Sequence, residues 1–179
     1  MSDIDLPAYT RPYLRSQCVF GHITPELILS LKKYIGSRKV LEVYAGQGYL
    51  TYYLREQGIT IQATSLFNSH DATWLRGTKT RVEEKSCLSA VKEYSGLFDI
   101  LLVVWPTTDE DLAKSVQYLS KDIPIIFIGE ITDYDQNFLG GCATDKFFAQ
   151  VEERHEESCL IEYDRGGIGC DRAAVFYRK

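Results

Sequence analysis

The chain has 179 residues, 45% of them apolar, and a formal charge of −5. That length predicts one domain, and that apolar fraction is enough for a real core. The negative balance excludes a surface that draws nucleic acid as a whole. The charge is uneven: residues 1–40 hold six Lys/Arg against three acids, and residues 151–157 are acidic. Both stretches read as solvated faces before docking patches. The N-terminus lacks a charged-then-apolar signal segment, and no apolar run approaches the roughly 20 residues that span a bilayer. No membrane contact is therefore expected. Cys18, Cys87, Cys142, Cys159 and Cys170 are an odd set without paired metal spacing. They fit reduced thiols in a cytoplasmic protein, with no metal site.

Residues 1–23 read as an N-terminal arm, and residues 24–179 as a single domain. Pro7 and Pro12 are expected to break any helix in the arm, which either packs on the domain or folds over a pocket. His22 reads as a surface or capping residue, with catalysis as the alternative. Thr24-Pro25-Glu26 gives an N-cap, a first helical position and a first-turn acid. Leu27, Ile28, Leu31, Tyr34 and Ile35 follow at helical spacing, and Gly36 supplies the stop.

A buried parallel strand is expected at Lys39 to Val43, followed by Tyr44-Ala45-Gly46-Gln47-Gly48 and a helix over 47–57. Gly46 and Gly48 lack a Cβ, so the backbone there can turn sharply and approach a ligand. The N–H groups opening the helix point back over the strand end. Leu50, Tyr53 and Leu54 face the sheet, and Gly58 ends the helix. Ile59 to Thr64, rich in β-branched residues, is a second strand leading to Ser65 and Leu66. Asn68 and Asp71 lie close by, with Asp71 as the cap of a short helix at about 72–75. Thr78 to Val82 reads as a third strand. Ser86 is an N-cap, with Leu88, Val91 and Tyr94 on the buried face of the next helix. Cys87 reads as a small buried thiol, not a nucleophile.

Phe98 to Val104 is a continuous apolar run and reads as a strand buried on both faces. It ends in Trp105-Pro106-Thr107-Thr108, and Thr108 with Asp109, Glu110 and Asp111 reads as a capped, acid-rich helix start. Ile125 to Gly129, entered through Pro124, is a fifth parallel strand, with Glu130 at its end. A loop closes with Gly140-Gly141-Cys142, which reads as a lid, a phosphate nest or a connecting turn. Thr144 caps a helix bearing Phe147, Phe148 and Val151. Ser158 to Tyr163 and Ala173 to Tyr177 read as a terminal antiparallel hairpin.

The strand–Gly-loop–helix over 42–50 resembles the first motif of class I S-adenosylmethionine (SAM) methyltransferases, acid-x-Gly-x-Gly-x-Gly. Tyr44 stands where the first glycine would be, as an aromatic does in some nucleic-acid methyltransferases. The resemblance runs over nearly the whole chain from about Thr24. The second half is similar to an uncharacterised methyltransferase-like group with Trp105-Pro106, Gly129-Glu130, Gly140-Gly141-Cys142 and Asp145-Lys146-Phe147-Phe148. The resemblance implies an α/β fold, a Rossmann-like three-layer sandwich. Its seven-stranded sheet has the order 3-2-1-4-5-7-6, with the seventh strand antiparallel.

It also implies roles. Glu42 would hold the amino group of the cofactor's methionine part, and Tyr44, Ala45, Gly46 and Gly48 would pass beneath it. Ser65 and Leu66 would meet the ribose and adenine, where the family carries an acid. Ser86 and Cys87 would meet the adenine edge. Trp105 and Glu130 are the candidate catalytic residues: Trp105 stacks on a substrate, caps the pocket or is core. Glu130 is a base or amine holder, or else a carboxylate bonding loop amides. The altered motif after the fourth strand, one proline with the aromatic ahead of it, does not transfer adenine or cytosine N-methylation. The expected function is a SAM-dependent methyltransferase with an open acceptor: small molecule, protein or nucleic acid. The alternative is an inactive methyltransferase-like binding or scaffold protein, with a partner chain supplying recognition. A plain nucleotide binder falls behind both, lacking the GxGxxG spacing.

Overall fold

The computed structural model describes residues 11–67, 73–134, 137–165 and 171–179. Its strands are β1 (Val40–Val43), β2 (Ile61–Ser65), β3 (Glu83–Glu84), β4 (Ile100–Val104), β5 (Ile125–Glu130), β6 (Val151–Glu153) and β7 (Asp171–Arg178). They form one sheet in the order β3-β2-β1-β4-β5-β7-β6. Strands β1 to β5 pair in parallel, and β7 runs antiparallel to both β5 and β6. The helices are α1 (Arg11–Ser16), α2 (Pro25–Ile35), α3 (Tyr49–Glu56), α4 (Thr73–Arg76), α5 (Cys87–Glu93), α6 (Asp111–Ser115), α7 (Asp145–Gln150) and α8 (His155–Ser158).

Period-2 alternation splits the strand residues between two cores. Leu41, Val43, Leu101, Val103, Ile125, Phe127 and Phe176 pack with residues of α5, α6 and α7. Val40, Ile100, Leu102, Ile126, Ile128 and Val175 pack with residues of α2 and α3. Phe127, Phe147, Phe148 and Phe176 form the centre of the first core, with ring centroids 5.2–6.1 Å apart. On the same alternation Glu42 falls on the second face, under α3, and this places a carboxylate inside the protein.

Helix α2 begins as the sequence predicts. Thr24 accepts a hydrogen bond from the Leu27 N–H, Pro25 opens the first turn, and Gly36 closes the helix at φ +61°. Ser86 caps α5 by accepting from Ser89 N–H at 3.3 Å. Other elements depart from expectation. Pro12 does not prevent a helix over Arg11–Ser16, because it lies in the first turn, where its missing N–H has no intrahelical partner to lose. The third strand is not at 78–82 but at Glu83–Glu84. Residues 79–81 are drawn instead to α3 and its loop, through Lys79 N–H to Gln47 O and Arg55 to Thr80 and Arg81. Leu88 is only half-buried; Cys87, Ala90 and Val91 form the inner face of α5.

Thr108 is not the cap of α6: Asp109 accepts from the Asp111 N–H at 2.8 Å, and Glu110 takes the cap position. The terminal hairpin partner is also corrected. Ser158 to Tyr163 form no strand; β7 pairs with Val151–Glu153, within the acidic stretch read as a plain solvated face. Val151 is buried there, and Glu153 is clamped by both Arg172 nitrogens at 2.7 Å. An edge strand of three residues is too short to show a period. Asn68 and Asp71, and part of the arm at residues 1–10, lie outside the described residues.

Candidate functional site

In the parallel part of the sheet the chain leaves β1 toward β2 on one side and is flanked by β4 on the other. A crevice opens at that reversal, at the carboxyl ends of the strands. A cavity of about 430 Å³ occupies it. Its floor is the β1 turn, its sides are the ends of β2 and β4, and its roof is the segment from Cys18 to Ile23.

Glu42 is the unusual group of the floor. It is 0% exposed. Its Oε2 accepts the Thr51 hydroxyl of α3, whereas Oε1 has no hydrogen-bond partner. Arg55, the cation whose charge acts on it, donates to Thr80, Arg81 and Ile61 instead. Burial raises the Glu42 pKa to about 7, against the lowering effects of the Thr51 bond and the Arg55 charge. A buried carboxylate oxygen without a partner is costly unless a ligand answers it.

The backbone is strained at the two strand ends beside it. Tyr44 and Trp105, which follow β1 and β4, sit at φ +59° and +48°. Such conformations cost on the order of 1–3 kcal/mol in a non-glycine residue and persist where packing fixes them. Tyr44 takes the backbone that glycine would take freely, and its hydroxyl reaches Asp109 Oδ1 at 3.1 Å, bridging the β1 and β4 loops. Burial raises its pKa, so it stays a neutral phenol. Gly46, at φ +54°, completes the turn.

The roof is pinned at several points. Gln17 O accepts from Gln47 Nε2 at 2.5 Å, and its side chain accepts from Arg76. The Phe20 ring lies 6.1 Å from Trp105, and a Cβ on Gly21 would come within 3.3 Å of the same indole. His22 N–H donates to the Tyr163 hydroxyl at 3.1 Å, and that hydroxyl donates to the buried Asp171. His22 is thus buried, with Nδ1 3.0 Å from Asp164 O, and is not a surface residue.

No family model matches the chain, and no curated protein matches it. Solved structures do resemble it. A variant of MtNAS in complex with S-adenosylmethionine aligns over 93% of this chain and 65% of that one, at 12% identity and a TM-score of 0.55. The PH0226 protein from Pyrococcus horikoshii OT3 aligns over 99% and 94%, at 12% identity and TM-score 0.54. An O-methyltransferase family protein from Burkholderia thailandensis aligns over 86% and 55%, at 13% identity and TM-score 0.50. The fold is the class I SAM methyltransferase-like fold. At these identities the likeness carries the architecture, and the chain spans about two thirds or less of the first and third of these structures.

Within this methyltransferase-like fold, Glu42, Tyr44, Ala45, Gly46, Ser65, Leu66, Cys87 and Trp105 line the cavity together. Ser65 is buried at the end of β2, and Leu66 is 47% exposed at the mouth. Cys87 is buried, and desolvation pushes its thiol up to about 12, which fits wall packing and not nucleophilic work. Three predicted residues stand apart from the cavity. Gly48 is needed for packing: at φ +75°, a Cβ there would meet Val82 Cγ2 at 2.7 Å. Ser86 is occupied as the α5 cap. Glu130 is not a cavity base; its Oε2 accepts from Gly141 N–H at 3.0 Å.

The Gly-Glu and Gly-Gly-Cys motifs are thereby explained as two backbones in contact. A Cβ on Gly140 would fall 2.5 Å from Glu130 O, and one on Gly129 would fall 3.0 Å from Cys142 Sγ. The stretch is a packed connecting turn, and its Gly141 and Cys142 form part of the cavity wall. Sequence reasoning missed Gln47, Lys85, Thr107, Asp109 and Asp111 as lining groups, and offered the segment 18–23 only within an arm that packs on the domain or folds over a pocket. Asp109 and Asp111 carried a signal, since they follow a strand whose end had already been placed at the ligand face. The segment 18–23 carried one aromatic ring, Phe20, beside His22, and no site motif.

Among the described residues no group of His, Cys, Asp and Glu is placed to hold a metal ion. Among them, too, no helix is long and apolar enough to cross a membrane.

Proposed function

We propose that the chain is a SAM-dependent methyltransferase whose cofactor lies in this cavity, with residues 18–23 as an arm across it. The observation that carries the reading is the unpartnered, fully buried Oε1 of Glu42, a residue that lines the cavity at the strand reversal of this fold. A ligand bearing an ammonium group satisfies that atom, and the methionine part of SAM bears one. The residues fit the rest of the cofactor. The Gly46 turn presents backbone without side chain, Ser65 offers a hydroxyl to the ribose, and Leu66 and Cys87 offer apolar surface to the adenine. Ser65 stands where an acid would give a charge-assisted bond, so the ribose is held less strongly here.

Bound SAM supplies a methyl group on a sulfonium centre. Transfer to a nucleophile is an in-line displacement that depends on alignment and on the exclusion of water. Phe20, Gly21 and Trp105 provide the exclusion by closing the roof over the end of β4. The strained Tyr44 and Trp105 backbones fix the floor and that strand end relative to one another, with the Tyr44–Asp109 bond as the tie.

Titration calorimetry with SAM and with S-adenosylhomocysteine tests the reading. Micromolar dissociation constants, about −8 kcal/mol, are expected for both. Absence of binding to either at millimolar ligand overturns it. Binding without transfer to any acceptor class would instead support the inactive binding-protein alternative.

A further inference from the structure

A row of unanswered cations borders the cavity beside the β1 turn. Residues 76–81 carry Arg76, Lys79 and Arg81 and no acid, and all three are exposed. The loop that bears them is firmly held. Arg55 donates to the Thr80 hydroxyl and to Arg81 O, each at 2.8 Å, and the Lys79 N–H donates to Gln47 O at 2.7 Å. Arg76 donates to Gln17 Oε1 and, at 3.5 Å, to Ser16 O, which brings the exposed Arg15 of α1 alongside. Among the described residues none of Arg15, Arg76, Lys79 and Arg81 forms an ion pair with a carboxylate. Glu83, the next acid along the chain, is already answered by Lys85 at 2.6 Å and by Gln62 at 3.1 Å. In a chain of net charge −5, such a local surplus is a field for a polyanion. The row abuts the cavity, since Gln47 lines it and Gln17 precedes the lining residue Cys18.

Aromatic surface lies beside the cations. Tyr13 sits one helical turn before Gln17, whose N–H donates to Tyr13 O at 3.2 Å, so its ring shares the α1 face that meets Arg76. Tyr13 is 47% exposed, and Phe20 on the roof is exposed as well. Phosphates answer the cations, and the flat faces of unpaired bases answer the rings; a carboxylate-rich protein answers only the first. Unpaired bases are free to stack on such rings, whereas those of a duplex are stacked already. We propose that this face binds single-stranded nucleic acid, with backbone phosphates on Arg15, Arg76, Lys79 and Arg81 and bases against Tyr13 and Phe20. A strand held in this way crosses the arm at the edge of the cavity. The inference goes beyond the cofactor reading and does not depend on it.

The test is fluorescence anisotropy of a labelled oligouridylate, ~12 nucleotides long, with the full chain and no added SAM, so its outcome is separate from that of the cofactor titration. A dissociation constant on the order of 10 µM is expected at about 50 mM salt, weakening ~50-fold by about 200 mM as four phosphate contacts are screened. The triple variant Arg15→Gln, Lys79→Gln, Arg81→Gln leaves the roof pin Arg76 in place. It is expected to weaken binding at least ~10-fold at about 50 mM salt and to cut the salt effect to ~3-fold. A control triple with the same change of charge, Lys33→Gln, Lys114→Gln, Lys121→Gln, lies at exposed positions on other elements and is expected to stay within about twofold. Tyr13→Ala is expected to weaken the single strand about fivefold and to leave a duplex of the same length unchanged. All the replaced side chains are exposed, so a thermal melt suffices to confirm that each variant is folded. The proposal is overturned if the oligonucleotide shows no binding at about 200 µM, if the control triple weakens it as much as the first, or if Tyr13→Ala has no effect. It is equally overturned if the duplex, or polyglutamate of the same charge, binds as tightly; the polyglutamate result would assign the face to an acidic protein.

Discussion

The ends of β1 and β5 carry the same residue type in opposite states. Each is an apolar parallel strand that reaches a glutamate near its carboxyl end. Glu42 is fully buried and keeps one oxygen without a partner, above which lies a cavity. Glu130 is partly exposed, accepts from the Gly141 N–H, and has the Gly140–Gly141 turn packed against it with no room for a Cβ. The floor of the crevice is thus prepared for a ligand, and the neighbouring strand end is filled by its own chain. Position in the sheet decides between them. The β1 end faces the strand reversal, while the β5 end lies beside antiparallel β7, where the chain returns and covers it.

The largest effect that follows is on cofactor affinity. Replacing Glu42 with alanine removes the carboxylate that would hold the SAM ammonium. A charge-assisted bond of about 3 kcal/mol corresponds to a loss of ~100-fold in affinity. Glu130→Gln is expected to leave affinity within about twofold, since Glu130 does not line the cavity and reaches it only through the Gly141 N–H, which a glutamine oxygen also accepts. Calorimetry on the two variants breaks the comparison if Glu130→Gln weakens SAM binding as much as Glu42→Ala does.

The second effect concerns stability and pH. The Glu42 pKa stands at about 7 in the folded chain, raised by burial from 4.5. The folded state therefore holds a proton that the unfolded state has lost over the window between those values. Stability from this group is fully present below 4.5 and is lost as pH rises to about 7. Glu42→Gln removes that titration. Above pH 7 it is expected to stabilise the chain by roughly 2–3 kcal/mol, and near pH 4 by about nothing. Thermal melts at the two pH values check it; an equal change at both would show that folding does not shift the Glu42 pKa. By the same linkage, affinity for a cation at this floor rises as pH rises toward 7.

Much of this was legible in the sequence, and the misses have a common cause. The β1 run, the Gly46–Gly48 turn and the Thr24 cap of α2 are local patterns, whereas the sheet order came with the resemblance to the methyltransferase family. The state of Glu42 was half-legible. An acid at the end of an apolar strand marks a ligand end, but its orphan oxygen depends on Arg55 being drawn away to Thr80 and Ile61. Glu130 presented the same local signal, and only the return of the chain at Gly141 tells the two apart. The wrong hairpin partner has the same origin. Residues 158–163 show strand composition, but Ser158 is held by Arg154 and Glu153, and its hydroxyl accepts from the Val175 N–H. Asp109 and Asp111 were not read as lining residues because they have helix-start chemistry as well as a cavity address.

A third effect tests the filled end directly. Gly140→Ala would place a Cβ 2.5 Å from the Glu130 carbonyl oxygen, which is backbone and cannot step aside. The expected cost is about 2 kcal/mol in stability by urea unfolding, with SAM affinity unchanged in the folded fraction. If Gly140→Ala is neutral, the turn is loosely seated and the β5 end regains a claim to be part of an open site.

The smallest effect belongs to the roof over β1. Phe20 is 39% exposed and lies tilted against Trp105, at an interplanar angle of 34°. Phe20→Ala removes one ring from that contact while the other pins remain: Gln17 on Gln47 and Arg76, and His22 on Tyr163. Half-exposed aromatic contact of this kind is worth about 0.5–1 kcal/mol, so global stability should barely move. Ligand escape is the sensitive readout, because the roof must lift before a cavity-bound molecule leaves. The dissociation rate of S-adenosylhomocysteine, followed by stopped-flow displacement, should rise about threefold while the association rate changes less. An unchanged dissociation rate would mean that ligands exit beside Leu66 and not beneath the arm. The arm would then be packing alone, and the unpartnered carboxylate would remain the sole feature separating the β1 end from the β5 end.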